Sequence, residues 1–372
     1  MSAKKKILIT FLGNINYDSR CNNFFETLNS QNFDAQFIGF DWLTENFISL
    51  KGTKSVYKLS KKKSSLFFYL KFYILLSQKV LTTKFDFIFA EDVYCLPVCV
   101  LAAKIKRAKV IYDCRELYGF LAGLRNRSLI QKLWRIVENS FISKADLILT
   151  TGEMDSDFIK SNYGIKNNLL LIRNLPLFKK SSTPVNYYKL LNIENSKKIL
   201  LYQGVILSGR GIDIVFKLLE STDEFVFVIV GGGEKLDYYK KLSEEMHLNK
   251  KVYFVGKISQ NKIIDYTSGA FAGLSLIENV SLSYYYALPN KMFEYIMAEI
   301  PIITTNLPQM KKIIDQYKVG FSVQENDIEQ LRNVLSKLLN DQRLYSELKT
   351  NCNKAAEELN WENEIKEFLQ II

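Results

Sequence analysis

A lysine and a glutamate, three residues apart, stand at the start of an apolar helix pattern in "YYYALPNKMFEYIMAEIPIITT". Pro289 and Asn290 are typical of a helix start, so Lys291 and Glu294 fall in its first turn. A helix N-terminus carries partial positive charge, which disfavours a lysine and stabilises an anion. Either Lys291 extends to water while Glu294 pairs locally, or a ligand phosphate binds here and Lys291 helps to hold it.

A glycine-rich loop follows a predicted strand in "LLYQGVILSGRGID", with Gly204, Gly209 and Gly211 around Arg210. It differs from a P-loop because Arg210 replaces the lysine and Gly211 replaces the hydroxyl that would hold magnesium. A P-loop NTPase is therefore not expected. The loop is predicted to offer backbone N–H groups and a guanidinium to a diphosphate, the alternative being an ordinary glycine-rich turn.

Three consecutive glycines end the next predicted strand in "VIVGGGEKL". Leu236 stands where a dinucleotide-binding fingerprint needs its third glycine, so nicotinamide chemistry is not indicated. Gly233 is still compatible with a nucleotide that approaches the backbone closely.

Charged residues follow two strands of the first half, "FDFIFAEDVY" and "VIYDCRELY". Glu91 and Asp92 follow the first strand, and Asp113, Arg115 and Glu116 end the second. Carboxylates at such strand ends are candidates to bind sugar hydroxyls or to activate one. Each could instead cap a helix N-terminus.

Other catalytic patterns are not indicated. The sequence has no Gly-x-Ser-x-Gly elbow, and its single histidine, His247, is expected at the surface or a helix end. Asp155 and Asp157 have the Asp-x-Asp spacing of metal-dependent sugar transferases, but they are expected to open a helix, where acids suit the dipole. We therefore expect no metal and no other cofactor.

Short apolar, β-rich runs alternate with helix-length segments, which predicts parallel sheets covered on both faces. The alternation occurs twice, and the strand-free segment at about 176–196 marks the boundary between two doubly wound domains facing a cleft. The thirteen predicted strands are "KILITFL", "AQFIGF", "SVYKL", "FDFIFAE", "KVIYD", "DLILTT", "LLLIRN", "KILLYQG", "FVFVIVG", "VYFVGK", "AGLSLI", "PIITT" and "VGFSV".

The composition is that of a globular, cytoplasmic protein. The 372 residues fit two domains, and 48% of them are hydrophobic. Five cysteines without a Cys-x-x-Cys pair indicate reduced thiols, and Cys95 and Cys99 are expected as buried apolar residues. The run "ILITFL" predicts a first buried strand and not a signal peptide, and no apolar run is long enough to span a membrane.

The formal net charge is +11, and part of the excess lies in segment 58–84, "KLSKKKSSLFFYLKFYILLSQKVLTTK". Three interpretations remain open: a packed helix with a solvated lysine loop, a patch on an anionic membrane surface, or nucleic-acid binding. No nucleic-acid motif accompanies the charge, so nucleic acid is not an expected partner.

Together these features resemble the retaining glycosyltransferases of the GT-B fold, specifically glycosyltransferase family 4 in its "LPNKxFEY" variant. The resemblance covers nearly the whole chain, from "YDSRCNNFFETL" through "YQGVILSGRGID" and "FVIVGGGE" to "LPNKMFEYIMAEIPIITT". It implies an acceptor-binding domain at 1–180, a nucleotide-sugar-binding domain at 190–355, and a C-terminal helix at 356–372 that crosses back onto the first domain.

By matching motif, the resemblance implies that Arg210 and Lys291 contact the diphosphate and that Glu294 contacts the ribose. The catalytic candidates are Arg210, Lys291 and Glu116; the donor-binding candidates are Gly13, Gly204, Gly209, Gly233, Glu278, Asn290 and Glu294; the acceptor-side candidates are Asp92, Asp113 and Arg115.

The chain departs from the family pattern at two positions. Tyr286 stands where the family often has the first of two glutamates eight positions apart, and whether Glu278 replaces it is open. Arg115 stands where the family often has a histidine.

The expected reaction is sugar transfer from a nucleotide-diphosphate sugar to an acceptor hydroxyl with retention, by front-face attack. A glycan or lipid-linked acceptor is expected, with the protein in the cytoplasm and in peripheral contact with the plasma membrane. The alternatives are a nucleotide-sugar epimerase on the same fold and a non-catalytic protein that binds a membrane or a partner.

Overall fold

A computed structural model describes residues 4–42, 44, 49–60, 65–166 and 168–372. The chain divides into two compact units, Met1–Arg173 and Asn174–Ile372. The division lies just ahead of the segment in which the sequence places the domain boundary. The two units are described separately below.

The first unit contains a seven-stranded sheet in the order β3-β2-β1-β4-β5-β6-β7, with every strand pair parallel. In chain order its elements are β1 (Lys6–Phe11), α1 (Ser19–Ser30), β2 (Asp34–Asp41), β3 (Lys54–Lys58), α2 (Ser65–Thr82), β4 (Phe87–Ala90), α3 (Leu96–Lys106), β5 (Lys109–Cys114), α4 (Ser128–Phe141), β6 (Leu147–Thr150), α5 (Glu153–Tyr163) and β7 (Leu169–Leu171).

The second unit contains a six-stranded parallel sheet in the order β10-β9-β8-β11-β12-β13. Its elements are α6 (Tyr187–Leu191), β8 (Lys198–Gln203), α7 (Ile212–Glu220), β9 (Phe225–Val230), α8 (Leu236–Glu245), β10 (Val252–Gly256), α9 (Ile263–Ser268), β11 (Ala272–Ser275), α10 (Leu282–Tyr285), α11 (Asn290–Met297), β12 (Ile302–Thr305), α12 (Pro308–Tyr317), β13 (Gly320–Val323), α13 (Ile328–Asn340), α14 (Gln342–Glu358), α15 (Trp361–Glu364) and α16 (Lys366–Ile371).

The predicted fold class, two doubly wound α/β units, is confirmed, and each of the thirteen predicted strands overlaps an observed one. Strand β9 shows why such runs form central strands. All six of its residues are buried. Val226 and Val228 pack into one core cluster while Phe225 and Phe227 pack into another, since successive side chains point to opposite faces.

Each sheet reverses its strand order at one point, between β1 and β4 in the first unit and between β8 and β11 in the second. Connections leave these neighbouring strands in opposite directions, which leaves a crevice at their carboxyl ends. The segments that reach these two positions are the loops after β1, β4, β8 and β11. They contain many of the residues that the sequence marks as candidates.

Several smaller predictions are also confirmed. Cys95 and Cys99 are fully buried, and all five cysteines are free. His247 is exposed directly after α8, and Asp155 lies in the first turn of α5. Within the described residues, no helix combines the length and the apolar character that a membrane crossing requires.

Two predictions from the sequence are not tested by the structure. The lysine run at 61–63 lies outside the described residues. Residues 356–372 comprise the end of α14 with α15 and α16, and the Trp361 N–H donates to the Pro176 carbonyl at 2.9 Å. Their packing against the first domain stays a prediction.

Candidate functional site

The glycine loop between β8 and α7 needs a backbone that L-residues with side chains rarely adopt. Gly204, Gly209 and Gly211 have φ angles of 125°, 75° and 69°. A Cβ atom on Gly211 would lie 2.2 Å from the Leu276 carbonyl oxygen. The loop therefore turns sharply and packs closely against the end of β11, which only glycine allows at this point.

The second glycine loop, after β9, packs backbone to backbone on the first. The Gly204 N–H donates to the Val230 carbonyl at 2.9 Å, and the Ile206 N–H donates to the Gly232 carbonyl at 3.0 Å. A Cβ atom on Gly233 would lie 2.3 Å from the Ile206 carbonyl oxygen. Close packing thus explains why position 233 is a glycine, while its contact with a sugar donor stays a prediction.

Two cations come together beside these loops. Lys291, in the first turn of α11, is only 8% exposed, and its Nζ lies 3.7 Å from the centroid of the Tyr202 ring. A Cβ atom on Gly204 would lie 3.7 Å from the same Nζ. The Arg210 guanidinium lies over the Tyr284 ring at 4.5 Å. The sequence placed both residues near one anion, and the fold does bring them to the same loop.

Neither cation is neutralised locally. Among the described residues, no carboxylate forms an ion pair with Lys291 or Arg210, and the buried Arg210 Nε has no hydrogen-bond partner. Burial, and then the charge of Arg210, holds the pKa of Lys291 well below its ordinary value, and Glu294 opposes this only in part. An anion bound here would relieve the repulsion and restore hydrogen bonds.

Glu294 is held in place from two other elements. Its carboxylate accepts hydrogen bonds from the Gln203 side-chain amide at the end of β8 and from Gln260 Nε2 at 3.3 Å. The Gln203 amide oxygen in turn accepts from Thr267 Oγ1 at 2.7 Å. Burial raises the pKa of Glu294. The sequence identified Glu294 but missed Gln203 and Gln260, which lie far from it in the chain.

Glu278 lies at the other side of the glycine loop. Its own N–H donates to the Gly209 carbonyl at 3.1 Å, and its carboxylate accepts from the Gly211 N–H. Burial, then the charges of Asp213 and Glu325, raises the pKa of Glu278. Asn290 is the first residue of α11. Donor contacts by these residues stay predictions.

In the first unit, two of the predicted acceptor-side acids have structural partners. Asp92 is 2% exposed and accepts from the N–H groups of Leu12 (2.8 Å) and Cys95 (2.7 Å). Asp113 is fully buried in a bidentate ion pair with Arg20, at 2.7 and 2.8 Å. Both carboxylates therefore fix the loops and α1 at the carboxyl end of the sheet.

Arg115 and Glu91 complete this buried charge cluster. Arg115 donates two hydrogen bonds to Asp18, at 2.9 and 2.7 Å, and its Nη1 lies 3.8 Å from Glu91 Oε2. Neither oxygen of the fully buried Glu91 receives a hydrogen bond from the described residues. Burial, then the charge of Asp113, raises the pKa of Glu91 well above its usual value. Sequence reasoning missed Arg20 and Asp18, and it did not include Glu91 among the acceptor-side candidates.

Two further candidates in the first unit differ in their surroundings. Glu116 is exposed just beyond β5. Gly13 follows β1 under the Phe11 ring, so that a Cβ atom would lie 2.1 Å from a ring carbon. Within the described ranges, no group of three or more His, Cys, Asp or Glu residues is arranged to hold a metal ion.

One region of the chain matches a known protein family. Residues 188–359 match the family described as Glycosyl transferases group 1. The match covers less than half of the chain and lies entirely within the second unit. The matched residues include both glycine loops and the start of α11.

One curated relative is an uncharacterized glycosyltransferase of Haemophilus influenzae, 24% identical over 236 residues. The match covers 62% of this chain and 62% of the relative's length.

Solved structures show that the chain has the two-domain GT-B fold. Sucrose-phosphate synthase of Thermosynechococcus elongatus is 17% identical with a TM-score of 0.78, covering 99% of this chain and 98% of that one. HepE of Anabaena in complex with UDP-glucose is 14% identical with a TM-score of 0.73, covering 99% and 100%. WaaG, a glycosyltransferase involved in lipopolysaccharide biosynthesis, is 15% identical with a TM-score of 0.68, covering 98% and 99%.

Proposed function

We propose that the protein transfers a hexose from a nucleotide-diphosphate sugar to an acceptor hydroxyl with retention of configuration. One observation carries this proposal. Arg210 and Lys291 lie together at the glycine loop, and neither forms an ion pair within the described residues. Two cations held close without an ion-pair partner form a site prepared for an anion, and a diphosphate matches its charge.

The proposed chemistry is displacement of a nucleoside diphosphate. The bond between the anomeric carbon and the diphosphate oxygen breaks while the acceptor oxygen bonds to that carbon on the same face. Negative charge grows on the diphosphate as it leaves, so fixed cations stabilise the transition state more than the ground state. Glu116 is proposed to activate the acceptor hydroxyl, and Glu294 to accept hydrogen bonds from the ribose. The cations replace a divalent metal in this proposal.

The substrates are proposed from the comparisons and the sequence. HepE of Anabaena has been solved with UDP and with UDP-glucose, which supports a UDP-sugar as the first donor to test. We propose a surface glycan or a lipid-linked acceptor, a cytoplasmic location, and contact with an anionic membrane through segment 58–84.

The first test is a thermal-shift panel of UDP, GDP, ADP and CMP with the full chain. One nucleoside diphosphate is expected to raise the melting temperature clearly, since a ligand that binds only the folded state stabilises it. EDTA is expected to leave this shift and the turnover unchanged. A panel without any shift, or activity lost with EDTA and restored by magnesium, would contradict the proposal.

The second test removes each cation. Arg210→Ala and Lys291→Ala are each expected to lower turnover by two to three decades, because one charged contact to a leaving group is worth about 2–4 kcal/mol of barrier. Lys240→Ala, an exposed lysine of α8, is the matched control and is expected to retain activity. Near-normal rates in both cation variants would refute the assignment, and donor conversion without acceptor would favour the epimerase.

A further inference from the structure

Helix α2 is apolar on two opposite sides. Its buried side consists of Phe68, Phe72, Leu76 and Val80, which follow one another at intervals of four residues. Its exposed side carries large apolar side chains as well: Leu66, Phe67, Leu70, Ile74 and Leu81. At 100° per residue these five fall within one arc of about 100° on the side that faces away from the buried residues. A helix with a fully solvated outer side would carry polar residues there.

The same feature continues on the two neighbouring helices. Leu101 and Ile105 are exposed one turn apart on α3, and Leu129, Leu133 and Ile136 are exposed on α4. We call the exposed side chains of α2, α3 and α4, both apolar and basic, the three-helix face.

Aromatic contacts join these helices into one layer. Trp134 of α4 packs edge-on against Tyr69 of α2, with ring centroids 5.1 Å apart, and against Tyr94 just before α3, at 4.6 Å. The three helices therefore form one layer that carries the apolar stripes, and exposed apolar side chains grouped in this way mark an interaction site.

The charge of the three-helix face has one sign. Its helices carry six basic residues, of which Lys71, Lys104, Lys132 and Arg135 are exposed and Lys79 and Lys106 are half-buried. Their one acid, Glu138, is 2% exposed and accepts hydrogen bonds from the Tyr112 and Tyr163 hydroxyls, both at 2.6 Å. The surface is thus both apolar and cationic, with its carboxylate turned into the core.

These two properties select the partner. A second copy of this chain would bring two cationic surfaces together, which repel each other. Nucleic acid would satisfy the lysines and leave the apolar stripes without a partner. An anionic lipid surface satisfies both, because its headgroups attract lysines and its acyl boundary receives apolar side chains from a helix lying in the interface.

We propose that the three-helix face docks the protein on an anionic lipid bilayer, with α2 lying along the membrane plane. This deepens the proposed membrane contact of segment 58–84 by adding α3 and α4 and by specifying the side chains that enter the lipid. It does not depend on the assignment of Arg210 and Lys291.

The test uses the full chain in a flotation assay with vesicles of phosphatidylcholine alone, or of phosphatidylcholine with about one third phosphatidylglycerol. The wild-type protein is expected to float with the anionic vesicles, not with the neutral ones, and to be released by high salt. Equal binding to both kinds of vesicle, or none to either, would overturn the proposal.

Variants locate the contact. Phe67→Ser/Leu133→Ser is expected to lower partitioning by at least about tenfold, because two apolar side chains lose their burial in lipid. Lys104→Glu/Lys132→Glu is expected to lower it by at least about tenfold through charge reversal. Leu190→Ser and Lys354→Glu change an exposed leucine and an exposed lysine of the second unit and serve as matched controls with unchanged partitioning.

Two further measurements separate the explanations. All variants are expected to keep the wild-type melting temperature and the nucleotide-induced shift, so a loss of vesicle binding alone is a loss of docking. If both double variants float like the wild type, the three-helix face is not the membrane contact. If the wild type forms dimers in sedimentation velocity that Phe67→Ser/Leu133→Ser dissociates, a second copy covers the face and the proposal is wrong.

Discussion

At the scale of single residues, the second unit keeps an ammonium where its charge is unfavourable. Lys291 is buried beside Arg210, and its ammonium contacts the Tyr202 ring. Contact with an aromatic face stabilises a cation only in part, so the neutral amine is favoured more than in water. A diphosphate in contact with Lys291 would reverse this preference.

This reversal predicts proton uptake on binding. The pKa of Lys291 is lowered in the free protein, and a bound diphosphate is expected to raise it. Between these two pKa values binding takes up a proton, so affinity for UDP is expected to fall as the pH rises through the lowered pKa. Isothermal titration calorimetry at alkaline pH, where the terminal phosphate of UDP is already ionised, measures the uptake as a difference between buffers of unlike ionisation enthalpy. Identical enthalpies in all buffers would contradict the prediction.

A second residue-scale feature is the buried pair of Arg20 and Asp113, both fully inaccessible to solvent. Arg20→Met is expected to destabilise the first unit by about 3–5 kcal/mol, because it leaves the Asp113 charge buried with a weaker partner. Arg20→Met/Asp113→Leu is expected to recover much of this loss. Urea unfolding followed by fluorescence measures both.

The control for this pair is Glu26→Gln, which breaks the partly exposed ion pair with Lys54 in the same unit. Its effect is expected to stay below about 1 kcal/mol. If Arg20→Met lowered the free energy of unfolding no more than this control does, the buried pair would not be a major stabilising interaction.

At the scale of elements, the two glycine loops of the second unit pack directly against each other, so that the geometry of one depends on the other. Gly231 has a φ angle of 145°, and a Cβ atom there would lie 1.9 Å from the Gly204 carbonyl oxygen. The clash is with backbone, which cannot move aside as the end of a flexible side chain can. The geometry of the first loop, where Lys291 approaches Gly204, thus depends on a glycine in the second.

Gly231→Ala is therefore expected to destabilise the second unit by about 2–5 kcal/mol, from backbone strain and overpacking together. It is also expected to abolish the nucleotide-induced thermal shift. The neighbouring Gly232→Ala is the control, since the three atoms nearest to its Cβ all belong to the flexible Lys257 side chain, and about 1 kcal/mol or less is expected. Equal melting temperatures for the two variants would show that the loops are not coupled.

At the scale of the whole molecule, the candidate anion site lies entirely within the second unit, whereas the buried charge cluster lies in the first. Binding of UDP to the full chain is expected to slow amide hydrogen exchange at 204–211, 231–233 and 290–294. Exchange in the strands of the first sheet is expected to change little, because local opening is coupled to ligand within its own cooperative unit. Protection concentrated in the first unit would contradict the site assignment.

The strands and their grouping were determined by the sequence itself, and the sequence also marked the region of the candidate anion site. Runs such as Phe225–Val230 are apolar throughout because a central parallel strand is buried on both faces, and that burial is visible residue by residue. Glycines at positive φ and a lysine at a helix start also stand out locally, because they conflict with ordinary local preference.

Only the tertiary structure decided which side chains hold the charged groups in place. Glu294 depends on Gln203, 91 positions away, and Asp113 depends on Arg20, 93 positions away. Two polar side chains pair when folding brings their atoms within hydrogen-bond distance, and their separation along the chain does not predict this. Of these residues, only Arg20 could have been noticed in the sequence. It stands four residues before Phe24, so the helix pattern places its side chain on the core side of α1, where a charged residue needs a partner.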